Sequence, residues 1–127
     1  MGIVSLGLDL VEIARFEGIL QRRGERFLER LFTALERAYC EARPARRATH
    51  YAGRFAVKEA TTKVLGVGWS RGVRWRDIEV ARAPGRAPEV RLQGASAELA
   101  RARGIARLHV TITHDAGIAA AVVVAES

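Results

Sequence analysis

The stretch Arg54-Phe55-Ala56-Val57-Lys58-Glu59-Ala60-Thr61-Thr62-Lys63-Val64-Leu65-Gly66-Val67-Gly68 organises the rest of the chain. Its pattern predicts the second half of a helix that ends at a glycine. At about 100° per residue, the apolar side of this helix also carries Glu59 and Lys63. The opposite, more solvated side is predicted to carry Arg54, Lys58 and Thr61. A charge on an apolar face is costly to bury unless it has a partner or a metal.

The two lysines of this helix are unusual in composition. The chain has 21 Lys plus Arg, and only Lys58 and Lys63 are lysines. A compact ammonium suits a phosphate beside a metal, whereas arginine is a planar fork. The helix alone favours another interpretation, an internal Glu59–Lys63 ion pair, because Glu four residues before Lys is mildly stabilising.

Length and composition predict one folded domain spanning residues 1–127, with 49% hydrophobic and 28% charged residues. The net charge of +7 indicates an acidic partner: nucleic acid, an acidic protein or a phosphorylated ligand. Nucleic acid is not expected, because zinc-finger spacing and aromatic RNA-binding motifs are missing and aromatic residues make up 6%. The single cysteine, Cys40, is expected to pack as a small apolar residue.

The hydrophobic stretches argue against export and membrane insertion. The first residues lack a charged segment followed by an apolar run, as a signal peptide requires. The longest apolar run, residues 118–125, is too short to span a bilayer. We therefore expect a cytoplasmic protein that does not insert into membranes.

Residues 3–13 alternate and predict a strand. Val4, Leu6, Leu8 and Leu10 are expected to form its core face. The other face carries Ser5, Gly7 and Asp9. Gly7 leaves that face bare, so that another group can approach the Asp9 carboxylate closely.

The middle of the chain predicts helices. Residues 14–31 are expected to be helical with a break near Gly24. Thr33 and Glu36 form a capping box that opens a helix to about Ala42, and Pro44 stops it. The central helix is predicted from Ala48 to Leu65, followed by a loop over residues 66–72.

The last part of the chain predicts strands. They are expected at Trp75–Ala81 and Glu89–Gln93, and at Leu108–Thr113 and Ile118–Val124, the latter buried on both sides. A turn over residues 83–88 joins the first two, a helix over Gly94–Arg103 follows, and a turn at 114–117 makes the last two a hairpin. The fold class is α+β: a single small domain with an antiparallel sheet packed against one long central helix.

Asp9 and Glu59 are predicted to converge if the small-residue face of the central helix packs on the first strand. Two close carboxylates repel, and a divalent cation removes that conflict. Mg²⁺ typically takes one or two carboxylates, water and phosphate oxygens, and Lys63 would neutralise charge on the same phosphate. The pattern predicts a phosphoryl-transfer site. A zinc site is not predicted, because the histidines lack ligand spacing; His114, beside two threonines, is the better ligand-contacting candidate.

Five segments resemble the holo-acyl-carrier-protein synthases, in that family's order and over nearly the whole chain. They are Gly7–Ile13, Phe32–Thr33 with Glu36 and Tyr39–Cys40, Gly53–Ala60, Lys63–Gly68 and Thr111–His114. Each segment alone is a weak signal, and together they are specific.

The resemblance implies a 4′-phosphopantetheinyl transferase-like fold and activity. Such enzymes move phosphopantetheine from coenzyme A to a serine of an apo acyl carrier protein in fatty acid biosynthesis and release adenosine 3′,5′-bisphosphate. The resemblance implies Asp9 and Glu59 as Mg²⁺ ligands and Lys63 as a contact to the diphosphate, the three forming the catalytic set. Glu59 and a water at the metal are alternative acceptors for the serine proton. It also implies a homotrimer with coenzyme A between neighbouring subunits.

Two further groups of contacts follow from the resemblance. Those expected for coenzyme A are Arg54, Lys63, Gly66, Gly68, Gly85, Arg86, Pro88 and His114. The family's glycine-lysine-proline loop here has the sequence Gly85-Arg86-Ala87-Pro88, and threonines at 111 and 113 stand where the family usually has serines. Those expected for the acidic carrier protein are Arg15, Arg22, Arg23 and Arg26, of which Arg15 is most similar to the family's carrier-contact arginine.

Two other functions compete with this one. A non-catalytic basic module for nucleic acid or nucleotide would explain the charge, but the Asp9 and Glu59 carboxylates would repel phosphates without a metal. A Mg²⁺-dependent phosphotransferase or hydrolase acting on another nucleotide would use the same groups. The choice between a fatty-acid carrier and a polyketide carrier, and the use of acylated coenzyme A, stay open.

Overall fold

The computed structural model describes residues 2–127, in which we number five strands and four α-helices in chain order. The strands are β1 (Ile3–Glu12), β2 (Ile78–Ala81), β3 (Glu89–Leu92), β4 (Arg107–Asp115) and β5 (Ile118–Glu126). The helices are α1 (Ile13–Leu31), α2 (Ala34–Glu41), α3 (Arg47–Leu65) and α4 (Gly94–Ala102). Short 3₁₀ turns, Pro44–Arg46 and Trp75–Asp77, precede α3 and β2.

The strands form two antiparallel sheets. The larger sheet has the order β1–β5–β4, and β2 pairs with β3 in the smaller one. The predicted α+β fold and the final hairpin are confirmed. Two strand predictions need correction: Trp75 starts a 3₁₀ turn before β2, and His114, predicted in a turn, lies in β4 because that strand continues to Asp115.

The central helix α3 packs directly on the larger sheet. A Cβ atom placed on Gly7 would lie 2.1 Å from the carbonyl oxygen of Ala60, and one placed on Gly53 would lie 3.0 Å from Ile112. Glycine at these two positions therefore permits a very close approach of helix and strands. That approach holds α3 over the β1 residues Ser5, Gly7 and Asp9.

The predicted core face of β1 is wrong. Leu6, Leu8 and Leu10 are 62%, 51% and 63% exposed, and the face that contacts α3 is the one with Gly7 and Asp9. The alternation was correct, but the helix covers the side without bulky residues because only that side admits its backbone. The partner strand β5 alternates too: residues such as Ala121 and Val123 are buried toward α3, and the intervening ones are partly exposed, so it is not buried on both sides.

The prediction of a solvated side on α3 is also wrong. Arg54, Lys58 and Thr61 are buried, because α1, α2 and β2 cover the side of the helix that faces away from the sheet. Lys58 pairs with the fully buried carboxylate of Glu36 at 2.9 Å and donates to the carbonyl oxygens of Trp75 and Ile78. Burial lowers the pKa of Lys58, and the Glu36 charge opposes that shift.

Local sequence signals in the helices are confirmed. Thr33 and Glu36 form the capping box of α2, and the Glu36 carboxylate also accepts from the Val80 N–H. The break in α1 occurs at Gly24, which has φ 69°. Cys40 is fully buried in the core. Over residues 2–127, no helix is both long enough and apolar enough to cross a bilayer.

Candidate active site

The Asp9 and Glu59 carboxylates converge at one end of the β1–α3 contact. Both line a hollow of about 350 Å³, together with Arg15 and the aromatic rings of Phe16 and Phe55. Asp9 comes from a strand position beside Gly7, and Glu59 from the adjacent turn of the helix that Gly7 admits. The convergence predicted from the sequence is confirmed, and its cause is the missing side chain at Gly7.

Lys63 lies at the same place but has a different partner from the one that helical spacing predicted. Its Nζ atom is 3.3 Å from Oδ1 of Asp9 and 2.7 Å from the carbonyl oxygen of Leu8. Within residues 2–127, the ion pair of Lys63 is with Asp9 and not with Glu59. The ammonium is half exposed, so it is free to approach a phosphate at the mouth of the hollow.

The electrostatics of the Asp9 and Glu59 carboxylates suit a divalent cation. Burial raises the pKa of Glu59 and the Asp9 charge adds to that shift, whereas the Trp69 N–H and Lys63 oppose it. No group of three acidic, histidine or cysteine side chains able to hold a metal occurs in the described part of the chain. Two carboxylates match Mg²⁺, which keeps several waters and takes phosphate oxygens as further ligands.

A row of packed aromatic rings, stacked from Trp69 to Phe55 and tilted between Phe55 and Phe16, lies beside the carboxylates. The ring centroids of Trp69 and Trp75 are 3.6 Å apart, those of Trp75 and Phe55 5.1 Å, and those of Phe55 and Phe16 4.9 Å. The Nε1 atom of Trp69 is 3.3 Å from Oε1 of Glu59. Sequence reasoning missed these residues; the available signal was that Trp69 lies in the glycine-rich loop after α3 and Trp75 shortly after it.

Arg54 and His114 line a second hollow, of about 290 Å³. Arg54 is 2% exposed, and its Nε and Nη2 atoms have no hydrogen-bond partner among residues 2–127. Its guanidinium carbon lies 4.0 Å from the ring centroid of Tyr39, and Nη1 donates to the carbonyl oxygen of His50 at 3.4 Å. A buried guanidinium with free donors is costly on its own. It therefore indicates a site for an anion.

The two hollows lie at opposite edges of the larger sheet. Asp9 is on β1 and His114 is on β4, with β5 between them. At about 4.8 Å between neighbouring strands, the two edge strands are about 10 Å apart, and α3 packs over the sheet between them. One chain therefore presents two separate parts of the predicted site.

Comparison with known proteins gives the family. A family model described as the 4′-phosphopantetheinyl transferase superfamily matches residues 5–122. The chain belongs to the 4′-phosphopantetheinyl transferase superfamily. It is thus an enzyme that transfers phosphopantetheine.

Similar members of the superfamily match along nearly their whole length. The holo-[acyl-carrier-protein] synthase of Anaeromyxobacter sp. (strain K) is 54% identical over 98% of this chain and 96% of the relative. The Helicobacter pylori synthase, solved in complex with coenzyme A, is 36% identical with a TM-score of 0.83, over 96% of this chain and 100% of that chain. The Neisseria meningitidis synthase has a TM-score of 0.88 at 27% identity, over 98% and 99%.

The remaining coenzyme A contacts expected of this transferase lie in two loops, of which the first follows α3. Gly66 ends α3 with φ 78°, a left-handed conformation that favours glycine, so this glycine is required by the helix end itself. Gly68 has φ 58° and open space around it. The loop of Gly66 and Gly68 continues directly from the last turn of α3, which carries Lys63.

The exposed turn with Gly85, Arg86 and Pro88 lies toward the second hollow. Arg86 lines a neighbouring cavity of about 420 Å³, and Arg82 lines both that cavity and the hollow of Arg54. The structure does not bring this turn to Asp9 and Glu59. Arg82, which links the two cavities, was not singled out from the sequence.

The arginines of α1 lie next to the first hollow of the transferase. Arg15 lines it with Asp9, whereas Arg23, Arg26 and Phe27 line an adjacent depression. Within residues 2–127 none of the four predicted docking arginines, Arg15, Arg22, Arg23 and Arg26, has an acidic partner. Two of the three acidic residues of the same helix, Glu25 and Glu29, are paired with Arg37 instead.

Proposed function

We propose that this protein is a Mg²⁺-dependent holo-acyl-carrier-protein synthase. It transfers the 4′-phosphopantetheine arm of coenzyme A to a serine of an apo acyl carrier protein and releases adenosine 3′,5′-bisphosphate. The observation that carries the proposal is the meeting of Asp9, Glu59 and Lys63 beside one hollow. The names of the similar synthases, and the coenzyme A in the Helicobacter pylori complex, support the choice of substrates.

Asp9 and Glu59 would hold the Mg²⁺ ion. When bound, it would neutralise negative charge on the diphosphate of coenzyme A. Lys63, already oriented by the carbonyl oxygen of Leu8, places its ammonium where charge develops on the leaving phosphate. The serine oxygen of the carrier forms a bond to the phosphorus that bears pantetheine, and the bond from that phosphorus to the oxygen of adenosine bisphosphate breaks. The serine hydroxyl proton passes to Glu59 or to a water molecule.

The second hollow would hold the nucleotide end of coenzyme A. A phosphate there would satisfy the free donors of Arg54, with His114 at the rim. Arg86, Gly85 and Pro88 would approach the nucleotide from the neighbouring turn. The loop glycines Gly66 and Gly68 would lie along the diphosphate.

The active enzyme would be a homotrimer with sites shared between subunits. The two parts of the site lie at opposite edges of one sheet, so the β1 edge of one subunit would meet the β4 edge of the next. The uncovered leucine face of β1, namely Leu6, Leu8 and Leu10, supplies the apolar surface that such an assembly buries. Three neighbouring leucines exposed to water would be unfavourable in an isolated subunit.

The acidic carrier protein would dock on α1. Arg15 lies at the rim of the Asp9 hollow, and Arg22, Arg23 and Arg26 continue the basic surface along the helix. Unpaired guanidinium groups steer an acidic partner and fix its register. We further propose that residues 1–127 form one domain, that the enzyme acts in the cytoplasm and that it serves fatty acid biosynthesis.

The decisive experiment mixes the purified protein with coenzyme A, Mg²⁺ and an apo acyl carrier protein and weighs the carrier by mass spectrometry. We expect the carrier to gain the mass of one phosphopantetheine arm, and EDTA to prevent the gain. A carrier in which the acceptor serine is replaced by alanine is the control. No gain with fatty-acid and polyketide carriers alike would overturn the proposal, and a gain that EDTA leaves intact would overturn the metal assignment.

A further inference from the structure

Trp69, which lies outside the predicted set of site residues, contacts the Glu59 carboxylate. Its indole Nε1 donates to Oε1 of Glu59 at 3.3 Å. An indole N–H is only a donor, so it cannot take the place of a metal ligand. It donates to one oxygen of the Glu59 carboxylate, whose remaining lone pairs can still bind a cation.

The loop after α3 is shaped to return Trp69 to the helix. Gly66 and Gly68 both have positive φ, 78° and 58°. A turn follows, in which both the backbone N–H and the hydroxyl of Ser70 donate to the carbonyl oxygen of Val67. These bends reverse the chain, so that Trp69 contacts a residue ten positions earlier.

The ring of Trp69 is supported from behind. It stacks on Trp75 with centroids 3.6 Å apart and planes 24° apart, and Trp75 stacks in turn on Phe55. The backbone of Trp75 is fixed as well, because its carbonyl oxygen accepts from Lys58 at 2.9 Å. Trp69 is held by Glu59, and Trp75 is held by Phe55 and Lys58. All three of these holding residues belong to α3, so the stack is fixed to that helix at both ends.

We propose that Trp69 is a positioning residue of the transferase, which acts through Glu59 by fixing its carboxylate for the divalent cation. The inference rests on the proposed Mg²⁺-dependent function. Groups that orient a metal ligand through a hydrogen bond typically change metal affinity by about 10–100-fold when they are removed.

Two matched variants separate the hydrogen bond from the stacking. Trp69→Phe keeps an aromatic ring against Trp75 but removes the N–H donor to Glu59. Trp75→Phe removes an indole from the same stack and leaves the donor in place. Mn²⁺ replaces Mg²⁺ as the probe, and its binding to each protein in the presence of coenzyme A is followed by electron paramagnetic resonance.

We expect Trp69→Phe to weaken Mn²⁺ binding by about 10-fold or more, and Trp75→Phe to bind within about threefold of the wild type. At saturating Mg²⁺, the turnover of Trp69→Phe should recover most of its loss, because the defect is in holding the cation. Mn²⁺ affinity of Trp69→Phe within about twofold of the wild type would overturn the proposal. An equal loss in both variants would also overturn it, since the stack would then be the cause.

The fluorescence of Trp69 itself provides a second readout. The chain has two tryptophans, so in Trp75→Phe the emission comes from Trp69 alone. We expect Mg²⁺ to shift this emission in the presence of coenzyme A and to leave the emission of Trp69→Phe unchanged. A Trp69 signal that does not respond to Mg²⁺ would count against the contact.

The metal measurements need no carrier protein, so the two proposals fail separately. If Trp69→Phe weakens Mn²⁺ binding as expected but the wild-type protein modifies no carrier, the proposed function is overturned and the role of Trp69 is retained. A wild-type protein that modifies the carrier while Trp69→Phe binds Mn²⁺ normally would overturn the role of Trp69 alone.

Discussion

Lys63 and Asp9 form an ion pair across the contact between α3 and β1, with 3.3 Å between Nζ and Oδ1. The other lysine of the chain, Lys58, lies on the same helix and is paired with Glu36 in the core. One lysine is half exposed at the candidate site and the other is fully buried. Replacing Lys63 by methionine should therefore lower activity, whereas the same replacement of Lys58 should lower stability.

We expect Lys63→Met to lower kcat by about 100–1,000-fold, the usual loss when one donor to developing charge is removed. Its free energy of unfolding should change by less than about 1 kcal/mol, because a partly exposed ion pair contributes little. Carrier modification followed by mass spectrometry gives the rate, and urea unfolding gives the stability. A variant that keeps turnover within about threefold of the wild type would remove Lys63 from the catalytic set.

We expect Lys58→Met to destabilise the fold by about 3–5 kcal/mol. It would leave the Glu36 carboxylate buried without its cation, and it would remove the donor to Trp75 and Ile78. Urea unfolding of both Lys58→Met and Lys63→Met compares the loss of unfolding free energy at two lysines of the same helix. An unfolding free energy within about 1 kcal/mol of the wild type would show that the buried pair contributes little net stability.

Local signals in the sequence were sufficient for several parts of the fold. The capping box of Thr33 and Glu36, the break at Gly24 and the final hairpin depend on neighbouring residues, and the structure has all three. The convergence of Asp9 and Glu59 was also predictable, because Gly7 leaves one strand face bare.

Other features depend on what covers each face, which alternation and helical period do not specify. The leucines of β1 were expected inside because they are apolar, but the helix approaches the opposite face, where Gly7 admits its backbone. Lys58 was expected in solvent because no pattern indicates that α2 and β2 bury it with Glu36. The Trp69–Glu59 contact depends on the path of the loop, and residue spacing does not predict such a path.

His50 provides a pH-dependent test of the second hollow. Burial lowers its pKa below the ordinary 6.5, and the charges of Arg54 and Arg43 lower it further. The folded state then binds fewer protons than the unfolded chain, so this group costs stability as the pH falls below 6.5. A phosphate in the hollow would offset those positive charges.

We therefore expect coenzyme A to raise the pKa of His50 toward its ordinary value. Titration of the histidine ring protons by NMR, with and without coenzyme A, measures the shift. His109 is the control, because it lies on an exposed strand position beside Glu126 and outside the hollow. An unchanged His50 pKa at saturating coenzyme A would argue that the nucleotide binds elsewhere.

Charge reversal at Arg15 tests the docking surface. We expect Arg15→Glu to raise the KM for the carrier by about tenfold or more while kcat falls less, because the charge acts on encounter with an acidic partner. Arg101→Glu, at an exposed position on α4, is the matched control for net charge. A change confined to the KM for coenzyme A would contradict the docking role.

Because Asp9 and Arg54 line hollows at opposite edges of the sheet, we predict that two inactive variants restore each other. Asp9→Asn disables the β1 side of the site, and Arg54→Met disables the other hollow at similar side-chain volume. Each variant alone should be inactive, and a mixture unfolded and refolded together should regain transfer. With random assembly, about one quarter of the shared sites receive an intact half from each of two neighbours.

The mixture distinguishes a shared site from a site built within one chain. If one subunit supplied both halves, every chain in the mixture would still lack one of them, and activity would stay at the level of the separate variants. Replacing Leu8 by Glu in both variants is the control, because a charge on the exposed leucine face should prevent assembly. We expect this change to abolish the restored activity and to give monomers in analytical ultracentrifugation.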